Sequence, residues 1–221
     1  MQTPHSIRRD GTVYGALLND RATLERLAPQ FDGAPYKAAP KAPVLYIKSR
    51  NTYAADGAVV EIPADPGVVR IDATIGLVIG RPARQVPAAQ AMSHVAGLVI
   101  VSDLTLPHEN YYRPAVVQRN RDGFCPMSEV LQGQPGFDLD QAALGVRVNG
   151  QQAYERSFAT LLRPAAQLIA DVTEFMTLAE GDVLLLGPGE GSPVGRAGDS
   201  VTITVPRLGE LSHSLAEEKQ A

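Results

Sequence analysis

The chain has 221 residues, of which 44% are hydrophobic, enough for one large domain with a proper core or two small ones. A formal charge of −4, a pI near 5.6 and no Lys/Arg cluster interleaved with aromatics argue against a nucleic-acid partner. Cys125 is the single cysteine, which excludes a disulfide framework and any Cys-based zinc site; with a polar start at Met1–Asp10 and no apolar run near the ~20 residues that span a bilayer, a soluble cytoplasmic protein with no membrane partner is expected.

Residues 12–18 alternate weakly and predict a strand, after which Asn19 or Asp20 can cap a short amphipathic helix carrying Leu24 and Leu27. Residues 29–43, rich in Pro, Ala and Gly, read as irregular chain wrapping over the body. Val44 to Lys48 is a short strand that delivers Lys48-Ser-Arg-Asn51 to its end, and Asp65-Pro-Gly67 marks a turn. The run Arg70 to Gly80 follows. A strand alternates its faces, so Asp72 and Thr74 point the same way, while Ile75, Leu77, Val78 and Ile79 must find a core. Two oxygen-bearing side chains side by side are one way to hold a hard cation, although only one of them is anionic.

Pro87 and Gly97 bracket a predicted helix over residues 88–96, and the apolar run 97–103 then ends in an acid, Asp103. Residues 104–130 show little periodicity but carry His108, Arg113, Arg119, Arg121 and Asp122, a pattern typical of a functional loop. Residues 145–150 form a strand running into a turn, and a helical pattern covers Phe158 to Val172, with Pro164 starting or kinking it. Strands at 181–186 and 199–205 are joined by a glycine-rich loop. This spacing predicts a β-rich α+β fold with one domain over residues 1–215, in which 1–43 form a wrapping or lid segment and 216–221 a solvated tail.

Guanidinium groups can grip carboxylates through two parallel hydrogen bonds, which makes Arg113, Arg119 and Arg121 candidates for an anionic substrate; for Arg121 and Asp122 a bracing role within the loop is the stronger reading. Lys48 ends a buried strand and is a candidate acid/base or substrate-orienting group, with a snorkelling surface lysine as the alternative. His108 reads as a solvated loop residue, His94 as a partly buried packing residue and Cys125 as a small buried hydrophobe. The loop Gly187-Pro-Gly-Glu-Gly191 lacks the Gly-Lys-Ser/Thr ending of a phosphate loop, and a strand follows it.

In sequence order, Tyr46-Ile-Lys48, the acidic strand with Leu77-Val-Ile-Gly80, Val101-Ser-Asp103, Asn110-Tyr-Tyr-Arg-Pro114, Arg121-Asp-Gly-Phe-Cys-Pro126, Val148-Asn-Gly150, Thr177-Leu-Ala-Glu-Gly-Asp182 and Gly198-Asp199 together resemble the fumarylacetoacetate hydrolase family over almost the whole chain. Residues 35–37, 47–52 and 110–127 are most similar to the N-terminal half, or first subunit, of the branch that isomerises and decarboxylates intermediates of 4-hydroxyphenylacetate (homoprotocatechuate) degradation. The resemblance implies a mixed, rolled β-sheet with short flanking helices and a Mg2+ or Mn2+ ion bound by a Glu-x-Glu pair and a later Asp. It also implies association as a homodimer or with a related second subunit. Carried over by position, the metal ligands fall on Asp72, Thr74 and Asp103, and a family lysine falls on Arg119. The family's Gly-Thr-Pro turn is here Gly187-Pro188-Gly189, and the His and Glu of its lid do not appear, the corresponding stretch, residues 19–25, containing no histidine.

The implied chemistry is metal-assisted stabilisation of an enolate, acting on 5-oxopent-3-ene-1,2,5-tricarboxylate and 2-hydroxyhepta-2,4-diene-1,7-dioate. Lys48 and Arg119 are then the candidate catalytic groups, with Arg113, Arg119 and Asn51 contacting substrate. Two other readings stay open: a non-catalytic partner subunit with a degenerate metal site, and a carbon–carbon hydrolase of a related diketo acid.

Overall fold

The computed structural model describes residues 11–35, 37–108 and 113–219, so the opening segment and Asn110 to Tyr112 of the loop motif lie outside the described residues. The expected β-rich α+β architecture is present. One sheet has the order β2 (Val44–Lys48), β1 (Val13–Leu17), β10 (Val183–Leu185), β5 (Val68–Ile79), β6 (Val95–Thr105), β7 (Cys125–Met127) and β3 (Tyr53–Ala55), with β11 (Val194–Arg196) also pairing with β5. The second sheet runs β4 (Val59–Ile62), β13 (Gly209–Glu217), β12 (Ser200–Val205), β8 (Ala143–Val148) and β9 (Gln151–Ser157). Parallel pairs β1/β10, β3/β7 and β4/β13 make both sheets mixed.

The first sheet is rolled. Strands β2 and β6 are four spacings apart in its order, about 19 Å if the sheet were flat. Yet Tyr46 and Lys48 of β2 both touch Asp103 of β6. The roll is tied together by the chain itself, because β2 and β3, at opposite ends of the order, are joined by only Ser49 and the 3-10 turn Arg50–Thr52.

Strand β5 feeds both faces of the roll. Its residues Val69, Ile71, Ala73, Ile75, Leu77 and Ile79 pack into the main core with Leu144, Val146, Val201 and Ile203 of the second sheet. Each Val, Leu or Ile among them contributes about 1.5–3 kcal/mol on full burial. Asp72, Thr74, Gly76 and Val78 point inward instead. Around Val78 a satellite cluster of Val13, Val99, Val101, Cys125, Met127, Val183 and Leu185 plugs one end of the roll with apolar side chains. The polar group around Asp72 occupies the other end.

Several boundaries differ from expectation for identifiable reasons. Helix α1 (Arg21–Phe31) is capped by Asp20, whose carboxylate accepts from the Thr23 amide, and it continues through Pro29 because Leu27 and Phe31 anchor its last turns in a small cluster with Leu18. The helix predicted over 88–96 stops early: α2 (Ala88–Ala91) gives way to a 3-10 turn at Met92–His94, and Val95 already pairs with Ile79 in the β5/β6 ladder. Strand β9 was missed. Asn149 and Gly150, both at positive φ (52° and 76°), form a two-residue turn that sends the chain straight back along β8. Strand β13 was also missed, and Ala216 and Glu217 pair with Glu61 and Ile62 rather than starting a solvated tail. Helix α3 (Val116–Arg119) is a single turn inside the long loop, and α4 (Ala165–Thr173) starts after Pro164 as the proline suggested.

Candidate active site

Asp72 and Asp103 are direct register partners on β5 and β6, so their side chains emerge next to each other inside the roll. Both are fully buried. Like charges at this spacing require cations, and the fold brings three. Arg119 places Nη1 2.9 Å from Asp103 Oδ2 and Nη2 3.5 Å from Asp72 Oδ2. Lys48 Nζ lies 2.9 Å from Asp103 Oδ1, and Arg70 Nη2 lies 2.8 Å from Asp72 Oδ1. Tyr46 donates its hydroxyl to Asp103 Oδ2, and the Arg119 guanidinium stacks 4.5 Å from the centre of the Tyr46 ring.

The supporting chain explains why these groups converge. Gly15 faces Tyr46 in the β1/β2 register, and any Cβ there would come within 2.1 Å of the phenol ring. Arg119 ends α3, which is pinned to the end of β6 by Leu106 N–H donating to the Gln118 carbonyl. Asn51 is exposed; its amide donates to the Asn120 carbonyl (3.1 Å) and to Asp122 Oδ1 (2.6 Å), fastening the Arg119 loop to the turn after β2. Lys48 also donates to the carbonyls of Leu104 and Arg119, which hold its ammonium beside Asp103. Thr74 donates to the Gly187 carbonyl at 2.9 Å, and Arg156 Nη1 reaches the same oxygen at 2.7 Å.

Burial alone would raise the Asp103 pKa, but the Lys48 and Arg119 charges prevail and hold it below the usual carboxylate value. Burial likewise works against the Arg119 charge, and Asp103, Tyr46 and Asp72 more than offset it, so the guanidinium pKa is raised. The Tyr46 phenol is pushed well up by burial and by the Asp103 charge, which keeps it protonated as a donor. The Cys125 thiol, pushed up to about 12 by burial, has no thiolate chemistry to offer.

Two cavities meet at Arg119. The smaller, about 230 Å³, is lined by Arg70, Arg119, Arg26, Gly189, Glu190 and Ser192; the larger, about 540 Å³, by Tyr46, Ser49, His108, Arg113, Val116 and Arg119. The N-terminal segment helps close the first. Arg26 of α1 pairs with Glu190 at 2.7 Å, and Asn19 bonds to the Leu186 and Arg163 carbonyls.

Residues 12–216 match the family model described as fumarylacetoacetate (FAA) hydrolase, C-terminal. The chain belongs to the fumarylacetoacetate hydrolase family. It is 35% identical over 210 residues to the 4-hydroxyphenylacetate degradation bifunctional isomerase/decarboxylase of Salmonella dublin, covering 95% of this chain and 48% of that protein. It is 30% identical over 183 residues to the mitochondrial oxaloacetate tautomerase FAHD1 of Arabidopsis thaliana, covering 80% of this chain and 82% of that one. Among solved structures, the 5-carboxymethyl-2-hydroxymuconate delta-isomerase of Mycobacterium smegmatis superposes with a TM-score of 0.78 at 27% identity over 95% of this chain and 80% of that one. These relatives are enzymes. The chain spans about half the length of the bifunctional isomerase/decarboxylases it matches.

Fumarylacetoacetate hydrolase family enzymes generally depend on a divalent metal. The positions implied as ligands, Asp72, Thr74 and Asp103, do come together here, but their arrangement does not fit such an ion. Each carboxylate oxygen already lies within 3.5 Å of a protein cation, although Asp72 Oδ2 and Asp103 Oδ1 accept no hydrogen bond, and Thr74 brings a neutral hydroxyl where a further carboxylate would be needed. Among the described residues three cations face two carboxylates. A further unit of positive charge about 4 Å from any one of these cations would be repelled by it by about 4 kcal/mol at an effective dielectric near 20.

Of the other expected site residues, Arg119 and Lys48 lie in the cluster, while Arg113 is exposed at the rim of the larger cavity. Arg121 pairs with Glu218 at 2.7 Å and Asp122 with Asn51, so both brace the loop. Sequence reasoning gave no role to Gly15, Tyr46, Arg70 or Arg156. Arg70 was within reach, because it stands two residues before Asp72 and therefore shares its strand face.

Proposed function

We propose that this chain is a decarboxylase/isomerase subunit acting on unsaturated 2-oxo and 2-hydroxy polycarboxylates, namely 5-oxopent-3-ene-1,2,5-tricarboxylate and 2-hydroxyhepta-2,4-diene-1,7-dioate of 4-hydroxyphenylacetate catabolism. The observation that carries the reading is Arg119, which lines two cavities and whose guanidinium joins two buried carboxylates. A polyanionic substrate brings carboxylates that such an arginine binds. When the carbon–carbon bond to the departing carboxylate breaks, its electron pair becomes a dienolate, and a fixed guanidinium beside that oxygen stabilises the developing charge. Protonation of the dienolate oxygen from solvent gives the 2-hydroxy diene, and passage of a proton from that oxygen to a carbon of the conjugated system completes the isomerisation. Lys48 and Tyr46 act as positioning residues that hold Asp103, and through it Arg119, while Arg113 at the rim meets a distal carboxylate.

One observation favours a second reading, that of a non-catalytic partner subunit: both carboxylates already have cation partners within a chain about half the length of its bifunctional relatives. Association with a second copy or a related second subunit belongs to both readings. The purified chain, alone and combined with such a subunit, should be assayed for carbon dioxide release from the tricarboxylate and for loss of diene absorbance from the dioate. Turnover by the chain alone supports the first reading. Activity that appears only in the combination, and survives Arg119→Gln in this chain, supports the second.

A further inference from the structure

The carboxylates on which the family resemblance places a divalent ion hold, in this chain, a cation of the protein's own. We propose that the Arg119 guanidinium is the resident cation of the site and takes the place of the divalent ion, so that an anionic ligand is held by arginine directly. This deepens the reading above, and depends on it only for the identity of the anion.

Geometry argues for the substitution. Arg119 bridges Asp103 Oδ2 and Asp72 Oδ2 at 2.9 and 3.5 Å, between two side chains that are direct register partners. It is only 2% exposed and stacked on Tyr46, and its backbone carbonyl is gripped by Lys48, so its position is fixed from three sides. The third family ligand position is Thr74, which adds no charge and points its proton at Gly187. An ion entering here would have to displace a guanidinium whose charge the two carboxylates already stabilise.

The same geometry indicates what the guanidinium is for. Arg119 Nε and Nη2 have no hydrogen-bond acceptor within the protein, although both are buried. These two nitrogens form the side-on fork of a guanidinium, which matches two oxygens of one planar anion. A carboxylate, or the paired oxygens of a 2-oxo acid, that enters an adjoining cavity and reaches these nitrogens would satisfy them. Buried donors left without acceptors are costly, so a ligand of that class is the economical solution.

The test uses Mn2+ alone and needs no substrate, so its failure is distinct from failure of the substrate reading. Metal-free wild-type protein and the Arg119→Gln, Arg119→Lys and Thr74→Glu/Arg119→Gln variants are titrated with Mn2+, and free ion is followed by electron paramagnetic resonance. The wild type should bind no Mn2+ up to millimolar concentration, whereas Arg119→Lys, which restores the family's lysine, should bind it more tightly than the wild type. Arg119→Gln should gain a site at least about tenfold tighter, and Thr74→Glu/Arg119→Gln one tighter still. Stoichiometric Mn2+ binding by the wild type that is lost in Asp72→Asn overturns the proposal, as does the absence of Mn2+ binding in both folded Gln variants. If the Gln variants do not fold, the wild type and Arg119→Lys decide: exclusion by the wild type with binding by Arg119→Lys supports the proposal, and binding by the wild type, or exclusion by both, overturns it.

Discussion

Asp72 and Asp103 face each other across β5 and β6, and the Arg119 guanidinium joins them, 2.9 Å from one carboxylate and 3.5 Å from the other. Two buried like charges are thus turned into one network. Its stability depends on every member, because removing one leaves an opposite charge buried without compensation.

Asp103→Ala is therefore expected to destabilise the protein by about 3–5 kcal/mol, since it strips both Lys48 and Arg119 of their principal carboxylate. Chemical denaturation of the variant against wild type checks this. A loss below 1 kcal/mol, the level of an exposed ion pair, would show that the network is solvated rather than buried.

Gly15→Ala tests the seat of Tyr46. The new methyl would fall 2.1 Å from the phenol carbon, so the ring must swing away and release both Asp103 and the stack with Arg119. A stability loss of about 1–3 kcal/mol is expected, together with a loss of activity larger than the change in folding implies. Unchanged activity would remove Tyr46 from the positioning role given to it.

His213 provides a pH signature outside the site. Its ring is buried between the sheets with Nε2 2.9 Å from Ser102 Oγ, and burial holds its pKa down at about 4, against an ordinary 6.5. The unfolded chain takes up this proton below about pH 6.5, whereas the folded chain does so only near 4. Stability from this group is complete above the unfolded value and falls as pH drops through that window, by about 3 kcal/mol in all. Urea midpoints measured between pH 7 and 4 should show this slope in wild type and a flatter one in His213→Gln. Equal slopes would contradict the assignment.

The sequence made the roll's main strands legible because β5 and β6 are long, apolar and bounded by clear turns. It placed Asp72 and Thr74 on one face of β5, although the strand begins at Val68 and both lie in its buried interior rather than at its mouth, and it placed Asp103 near the end of β6. What it could not show is that the sheet curls enough to bring β2 onto β6, since that depends on a chain closure between strands at opposite ends of the order. Tyr46 and Lys48 therefore acquire their carboxylate only in three dimensions. Helix α3 was invisible for a different reason: one turn of four residues carries no periodic pattern, yet it sets the position of Arg119. Asn51 stood in a motif that suggested substrate contact, and the fold gives it to the loop beside Arg119 instead.

The most direct test of the central claim is the rate at which the isolated chain turns over 2-hydroxyhepta-2,4-diene-1,7-dioate, compared among wild type, Arg119→Lys and Arg119→Gln at matched folding. If Arg119 stabilises the enolate, Arg119→Gln should lower kcat/KM by about two to three orders of magnitude, the scale of losing one oxyanion-stabilising donor, with part of the loss restored in Arg119→Lys. Wild-type turnover that is equally fast in Arg119→Gln would contradict the account.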